Sequence, residues 1–83
     1  MREVRLFGKP GCHLCEHAEE LLEDLRGDYE FSLIQVDITS DQTLFDRYRY
    51  EIPVVALPDG RTVSGRVTAE QLHTLLALRG SNQ

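Results

Sequence analysis

Charged and apolar residues alternate from Arg2 to Phe7, with Val4, Leu6 and Phe7 supplying the buried positions of a strand. Gly8, Pro10 and Gly11 then mark a tight connection. From Leu14 the apolar period changes: Leu14, Ala18, Leu21, Leu22 and Leu25 form one stripe of a helix. Glu16, Glu19, Glu20, Glu23 and Asp24 lie on the opposite, solvated face, and acidic residues early in a helix suit its N-terminal partial charge. Arg26-Gly27 is the expected stop. Tyr29–Ile38, with Phe31, Leu33, Ile34, Val36 and Ile38 apolar, reads as a largely buried strand. Strand, helix and strand in this order predict a parallel crossover.

The second half is read from turn and cap chemistry. Thr39 and Gln42 have the spacing of a capping box, opening a short helix with Leu44, Phe45 and Tyr48 on its inward side. Pro53–Leu57, Pro58-Asp59-Gly60 and Arg61–Gly65 read as strand, turn and strand of a hairpin. Thr68 and Gln71 form a second box before Leu72, Leu75 and Leu76, with Arg79-Gly80 ending that helix and a polar Ser81-Asn82-Gln83 tail. The order is βαβαββα, a single domain over residues 1–83, with no repeat, linker or low-complexity stretch.

Composition narrows the function. Eighty-three residues allow one compact domain, which buries somewhat more than the ~60% of chain surface hidden by a 60-residue domain. Hydrophobic content of 41% and charged content of 28% are those of an ordinary soluble globular protein. A net charge of −5 disfavours nucleic acid and anionic membrane surfaces, both of which need concentrated Lys and Arg. The first ten residues lack the apolar core of a signal peptide, and the longest apolar run, Ile52–Leu57, cannot span a bilayer. The expectation is a cytoplasmic monomer.

Against that background the cysteines matter. There are two, Cys12 and Cys15, three positions apart. A bond between them closes too small a loop to stabilise the fold appreciably, so a structural staple is a poor explanation. The helix pattern instead puts Cys12 at a helix N-terminus and Cys15 one turn inside. Unpaired N–H groups and a partial positive charge there stabilise an anion. The thiolate is the form that attacks disulfides, and thiols so placed fall from ~8.5 to between ~3.5 and ~7.5 in pKa. Cys12 is then the nucleophile, and Cys15 resolves the mixed disulfide. Zinc is the competing chemistry: Cys12, Cys15 and either His13 or His17 supply three donors. A closed tetrahedral site wants four from separated elements, and no second C-x-x-C or H-x-H pair exists, so no metal is expected. His73 reads as ordinary surface.

Lys9-Pro10-Gly11-Cys12, Cys12-His13-Leu14-Cys15 and Ile52-Pro53-Val54, in this order within βαβαββα, resemble the thioredoxin fold. Among its members the chain is most similar to the glutaredoxins, particularly short bacterial glutaredoxin-like proteins with a Gly-Cys-His-Leu-Cys start, over residues 3–79. The resemblance implies an α/β fold of three layers, α/β/α, around a mixed four-stranded sheet. It implies a cis Ile52-Pro53 bond against Cys12, with the Ile52 backbone pairing with a bound thiol substrate. Catalysis falls to Cys12 and Cys15, and the activity implied is thiol–disulfide oxidoreduction on protein or small-molecule disulfides, with no cofactor beyond the cysteine pair. A metal- or cluster-binding protein and a redox-inert interaction module are the alternatives.

Substrate contacts follow residue by residue. Lys9 matches the glutaredoxin lysine three places before the nucleophile, which stabilises the thiolate or holds a glutathione carboxylate; the plainer reading is a solvated loop lysine. Protonated His13 beside Cys12 would lower the thiol pKa and make the disulfide more oxidising, and is otherwise an exposed member of the variable dipeptide. That dipeptide is His-Leu where glutaredoxins have Pro-Tyr, and Glu51-Ile52-Pro53 stands for Thr-Val-Pro. Gly65 matches the first of two glycines that grip glutathione, but Arg66 replaces the second. No acid occupies the position that would meet the glutathione ammonium, so glutathione is expected to be a poor ligand.

Overall fold

The computed structural model describes residues 2–77. The Arg79-Gly80 stop and the polar tail lie outside these residues. The elements are β1 (Arg2–Gly8), α1 (His13–Leu25), β2 (Phe31–Asp37), a 3₁₀ turn (Ile38–Ser40), α2 (Gln42–Tyr48), β3 (Val54–Ala56), β4 (Thr62–Ser64) and α3 (Ala69–Ala77). They form one mixed sheet in the order β2-β1-β3-β4. β1 and β2 run parallel in unbroken register from Arg2–Phe31 to Gly8–Asp37. β3 is antiparallel to β1 and to β4.

Alternation along β1 decides what lies on each face. Val4, Leu6 and Gly8 are buried, and Val4 and Leu6 join Ala18 and Leu22 of α1 with Leu72, Leu75 and Leu76 of α3 in the core. Phe7 points the other way. It is only half-buried and stacks on Tyr48 of α2, with centroids 4.6 Å apart and planes at 26°. Grouping Phe7 with Val4 and Leu6 as one buried set is therefore wrong. The helices cover both faces of the sheet, α1 and α3 on one and α2 on the other.

Two further expectations are corrected. The second strand is shorter than Tyr29–Ile38 and is not largely buried: within β2 only Phe31 is, because β2 is the sheet's edge. Ile38 is buried, but in the 3₁₀ turn. The Thr39–Gln42 box does not form either. Asp41 caps α2, its Oδ1 accepting from Thr43 N–H at 2.8 Å and Leu44 N–H at 3.2 Å. Asp37 caps the 3₁₀ turn, its Oδ1 accepting from the Thr39 hydroxyl at 2.6 Å and N–H at 2.9 Å. Those bonds hold the Asp37 carboxyl below its ordinary pKa, the hydroxyl contributing most. With carboxylates on both sides of it, Thr39 donates rather than caps.

Turn chemistry elsewhere is as expected. Asp59 closes the hairpin by accepting from Arg61 N–H at 3.0 Å, and Gly60 takes the left-handed φ of +95°. At α3 the reciprocal box is complete: Gln71 N–H donates to Thr68 Oγ1 at 3.1 Å and Thr68 N–H to Gln71 Oε1 at 3.0 Å. Thr68→Ala should cost about 1 kcal/mol in urea unfolding. A change below about 0.3 kcal/mol would mean that this cap contributes nothing beyond solvent.

Candidate functional site

Cys12 is the N-cap residue of α1, with extended φ and ψ of −96° and 107°, and its Sγ accepts from Cys15 N–H at 3.2 Å. Its carbonyl accepts from Glu16 N–H at 3.0 Å, the first bond of the helix. One turn separates the two cysteines, their Cα atoms are 5.2 Å apart, and they are joined as a disulfide. The two sulfurs sit in unlike surroundings. Cys12 is half-buried at the rim, whereas Cys15 is 6% exposed. Gly11 brings the chain into the cap with φ of +79°, a value that disfavours any side chain there.

Gly8 is a site residue that sequence reasoning missed. A Cβ there would lie 3.0 Å from Cys15 Sγ and 3.1 Å from Cys15 Cβ, tighter than most Cβ contacts, so Cys15 would have to give by a few tenths of an ångström. By sequence Gly8 reads only as turn punctuation. The signal that finds it is the alternation Val4, Leu6, Gly8, which turns its missing side chain toward α1.

The β1–β3 pairing ends at Phe7–Val54, one residue before Gly8 in β1 and one after Pro53, at the end of the sheet from which β1 leads to Cys12. Pro53 is buried and the Ile52-Pro53 bond is cis. The Ile52 N–H already donates to Tyr48 O at 3.2 Å. Gly65, with φ of +76°, gives its N–H to Pro53 O at 2.9 Å and Glu51 O at 3.2 Å. This ties β4 to the proline loop and leaves that amide engaged.

The remaining candidates are less gathered. Lys9 is exposed and, with Gly8, Pro10, Gly11, Cys15 and Asp37, lines a cleft of about 300 Å³ on the β2 side of the cysteines. Glu19 borders it, accepting from Gln35 Nε2 at 3.0 Å. The His13 side chain is 95% exposed and its Nδ1 lies 3.6 Å from Glu16 Oε1. His17 is also exposed. His73, expected as plain surface, is exposed but has Nδ1 2.9 Å from the Tyr29 hydroxyl. Among the described residues no three His, Cys, Asp or Glu side chains converge as metal ligands, and no helix is long and apolar enough to cross a membrane.

Residues 3–77 match the Glutaredoxin-like domain (DUF836). The chain belongs to this family. A curated relative, the Glutaredoxin-like protein YDR286C homolog of Dictyostelium discoideum, is 25% identical over 76 residues, covering 84% of this chain and 70% of the relative. Structurally, this glutaredoxin-like domain is similar to XcR50 from X. campestris, solved by X-ray methods. The TM-score is 0.79 at 30% identity, over 89% of this chain and 95% of that one. A mutant thioredoxin from Halobacterium salinarum NRC-1 superposes with a TM-score of 0.73 at 22% identity, over 90% of this chain and 71% of the thioredoxin. That likeness establishes the thioredoxin-like fold, with its mixed sheet and three helices.

Proposed function

We propose that this glutaredoxin-like domain is a thiol–disulfide oxidoreductase that cycles Cys12 and Cys15 between dithiol and disulfide. The observation that carries the reading is the pairing of a rim-placed sulfur at a helix start with a buried one a turn inside. In the reduced protein the helix N-terminus favours the Cys12 thiolate. This thiolate attacks a substrate disulfide, forming a Cys12–substrate bond and expelling one substrate thiolate, which takes up a proton. Cys15 then loses its proton and attacks Cys12 Sγ, so that the second substrate thiolate leaves and the internal disulfide forms. Two electrons pass to the substrate, and a separate thiol reductant returns the pair to the dithiol. The reducing cytoplasm, where such a pair is regenerated, is the proposed setting, and a monomer suffices for the chemistry.

Substrates in this reading are protein or small-molecule disulfides, met by the Ile52 carbonyl, the Pro53 edge, Lys9 and His13. Glutathione is a poor fit. The Gly65 amide is engaged within the protein, so it is withdrawn from any ligand carboxylate. Arg66, in place of the second glycine, adds a positive charge that would repel the glutathione ammonium. The test pairs two assays. Reduction of insulin by dithiothreitol should run well above the protein-free rate, while glutathione-coupled turnover of hydroxyethyl disulfide should be slow. Insulin reduction no faster than the blank would refute the oxidoreductase. Micromolar glutathione affinity would refute the reading of Gly65 and Arg66.

A further inference from the structure

Charge is distributed unevenly over this domain. Seven of its fourteen acidic residues fall between positions 16 and 30, on α1 and just after it, where Arg26 is the only Lys or Arg. The end of α2 and the turn after it are less acidic: Arg47 and Arg49 stand between Asp46, whose carboxylate accepts from Gln42 Nε2 at 2.9 Å, and Glu51. The arginines there are organised on rings. The Arg49 guanidinium carbon lies 4.9 Å from the Phe45 centroid and 4.7 Å from that of Tyr50. That of Arg47 lies 5.2 Å from the Tyr48 centroid, and Tyr48 is itself stacked on Phe7. Tyr50 is 86% exposed, the only large hydrophobic side chain exposed among the described residues.

This turn is held in place by backbone bonds. Glu51 N–H donates to Tyr48 O at 2.8 Å, and Ile52 N–H reaches the same oxygen. Gly65 N–H donates to Glu51 O, which brings the exposed Arg66 beside the turn. Tyr and Arg are the residues enriched at protein interfaces, and a patch already ordered binds without the entropy cost of ordering it. Its position points to a substrate rather than a distant partner, because the turn leads directly into Pro53 at the cysteine end of the sheet. The acidic face of α1 repels an acidic partner, while the arginines attract it, so the field also orients it.

We infer that the Arg47–Tyr50 turn, with Arg66, docks an acidic segment flanking the disulfide of a protein substrate. This rests on the redox reading above. The test uses the full chain in its reduced form and two short peptides, each with one cysteine held as its mercaptoethanol disulfide, flanked by three Asp or by three Lys. Exposed ion pairs are individually weak, and three together should favour the Asp peptide by roughly tenfold in rate at low salt. The preference should shrink several-fold at about 0.5 M salt, where the Debye length falls to roughly 4 Å. Arg47→Glu and Arg49→Glu should each cut the Asp-to-Lys rate ratio about threefold or more. The salt series needs no variant, so a misfolded substitution leaves the test intact. Equal rates for the two peptides, with neutral hydroxyethyl disulfide still reduced, would overturn the docking surface and leave the redox reading standing. Salt-sensitive binding of a cysteine-free Asp peptide, with no disulfide reduced, would support the surface and overturn the redox reading. Tighter binding of a single-stranded oligonucleotide than of the Asp peptide would also overturn the assignment.

Discussion

Cys12→Ser should abolish disulfide reduction, whereas Cys15→Ser should halt it one step later with the substrate covalently attached. The difference follows from the helix. Cys12 is the cap residue at the rim, with the Cys15 amide directed at its sulfur, so it alone combines access with anion stabilisation. A serine hydroxyl there does not ionise near neutral pH and forms no mixed disulfide. Cys15 is buried, and it can reach no disulfide except one that Cys12 has already made. Incubated with insulin or hydroxyethyl disulfide, Cys15→Ser should gain the mass of one substrate thiol, on the Cys12 peptide. The loss for Cys12→Ser should be at least a hundredfold, with no adduct on Cys15. Adducts on Cys15 in Cys12→Ser, at rates near those of the reverse variant, would exchange the assigned roles.

Gly8→Ala should destabilise the fold by crowding Cys15. The new Cβ would meet Cys15 Sγ at 3.0 Å and Cβ at 3.1 Å, and neither can swing aside: one is in the disulfide and the other is fixed by the helix. Relief requires moving the start of α1, which carries Cys12 and Cys15, away from the end of β1. Overpacking of this kind costs about 1–3 kcal/mol. Urea unfolding of oxidised Gly8→Ala should show that loss. Gly27→Ala is the control: its Cβ would meet only Asp24 O, at an ordinary 3.8 Å, in an exposed turn. A Gly8→Ala protein as stable as the unmodified chain to within about 0.5 kcal/mol would show that the helix yields freely.

How far the molecule is legible in its sequence depends on how local each feature is. α1 is legible because its stripe, acidic face and cysteine cap all lie within fourteen consecutive residues. The hairpin and the Thr68–Gln71 cap are legible for the same reason: Asp59, Gly60, Thr68 and Gln71 act on neighbours within three positions. The Asp37-Ile38-Thr39-Ser40-Asp41-Gln42 stretch is not, because three residues compete to cap and only the path of the chain decides. Half-burial of Leu33, Ile34 and Val36 is not legible from β2 itself, since being an edge strand is a property of strand order. Gly8 and the engaged Gly65 amide are further cases. Each depends on a partner brought close by folding, Cys15 for one and Glu51 and Pro53 for the other. The cysteines themselves were conspicuous, but their unequal burial is a tertiary fact.

That inequality is the central claim, and alkylation measures it directly. The reduced native protein is treated with iodoacetamide near pH 6, where an ordinary thiol of pKa ~8.5 is almost wholly protonated and slow. Peptide mass spectrometry then reports each cysteine separately. Cys12 should be labelled rapidly, with Cys15 labelled only after unfolding. Equal labelling of Cys12 and Cys15 in the folded protein, or no labelling of either below pH 8, would contradict a helix-activated nucleophile backed by a buried resolving thiol.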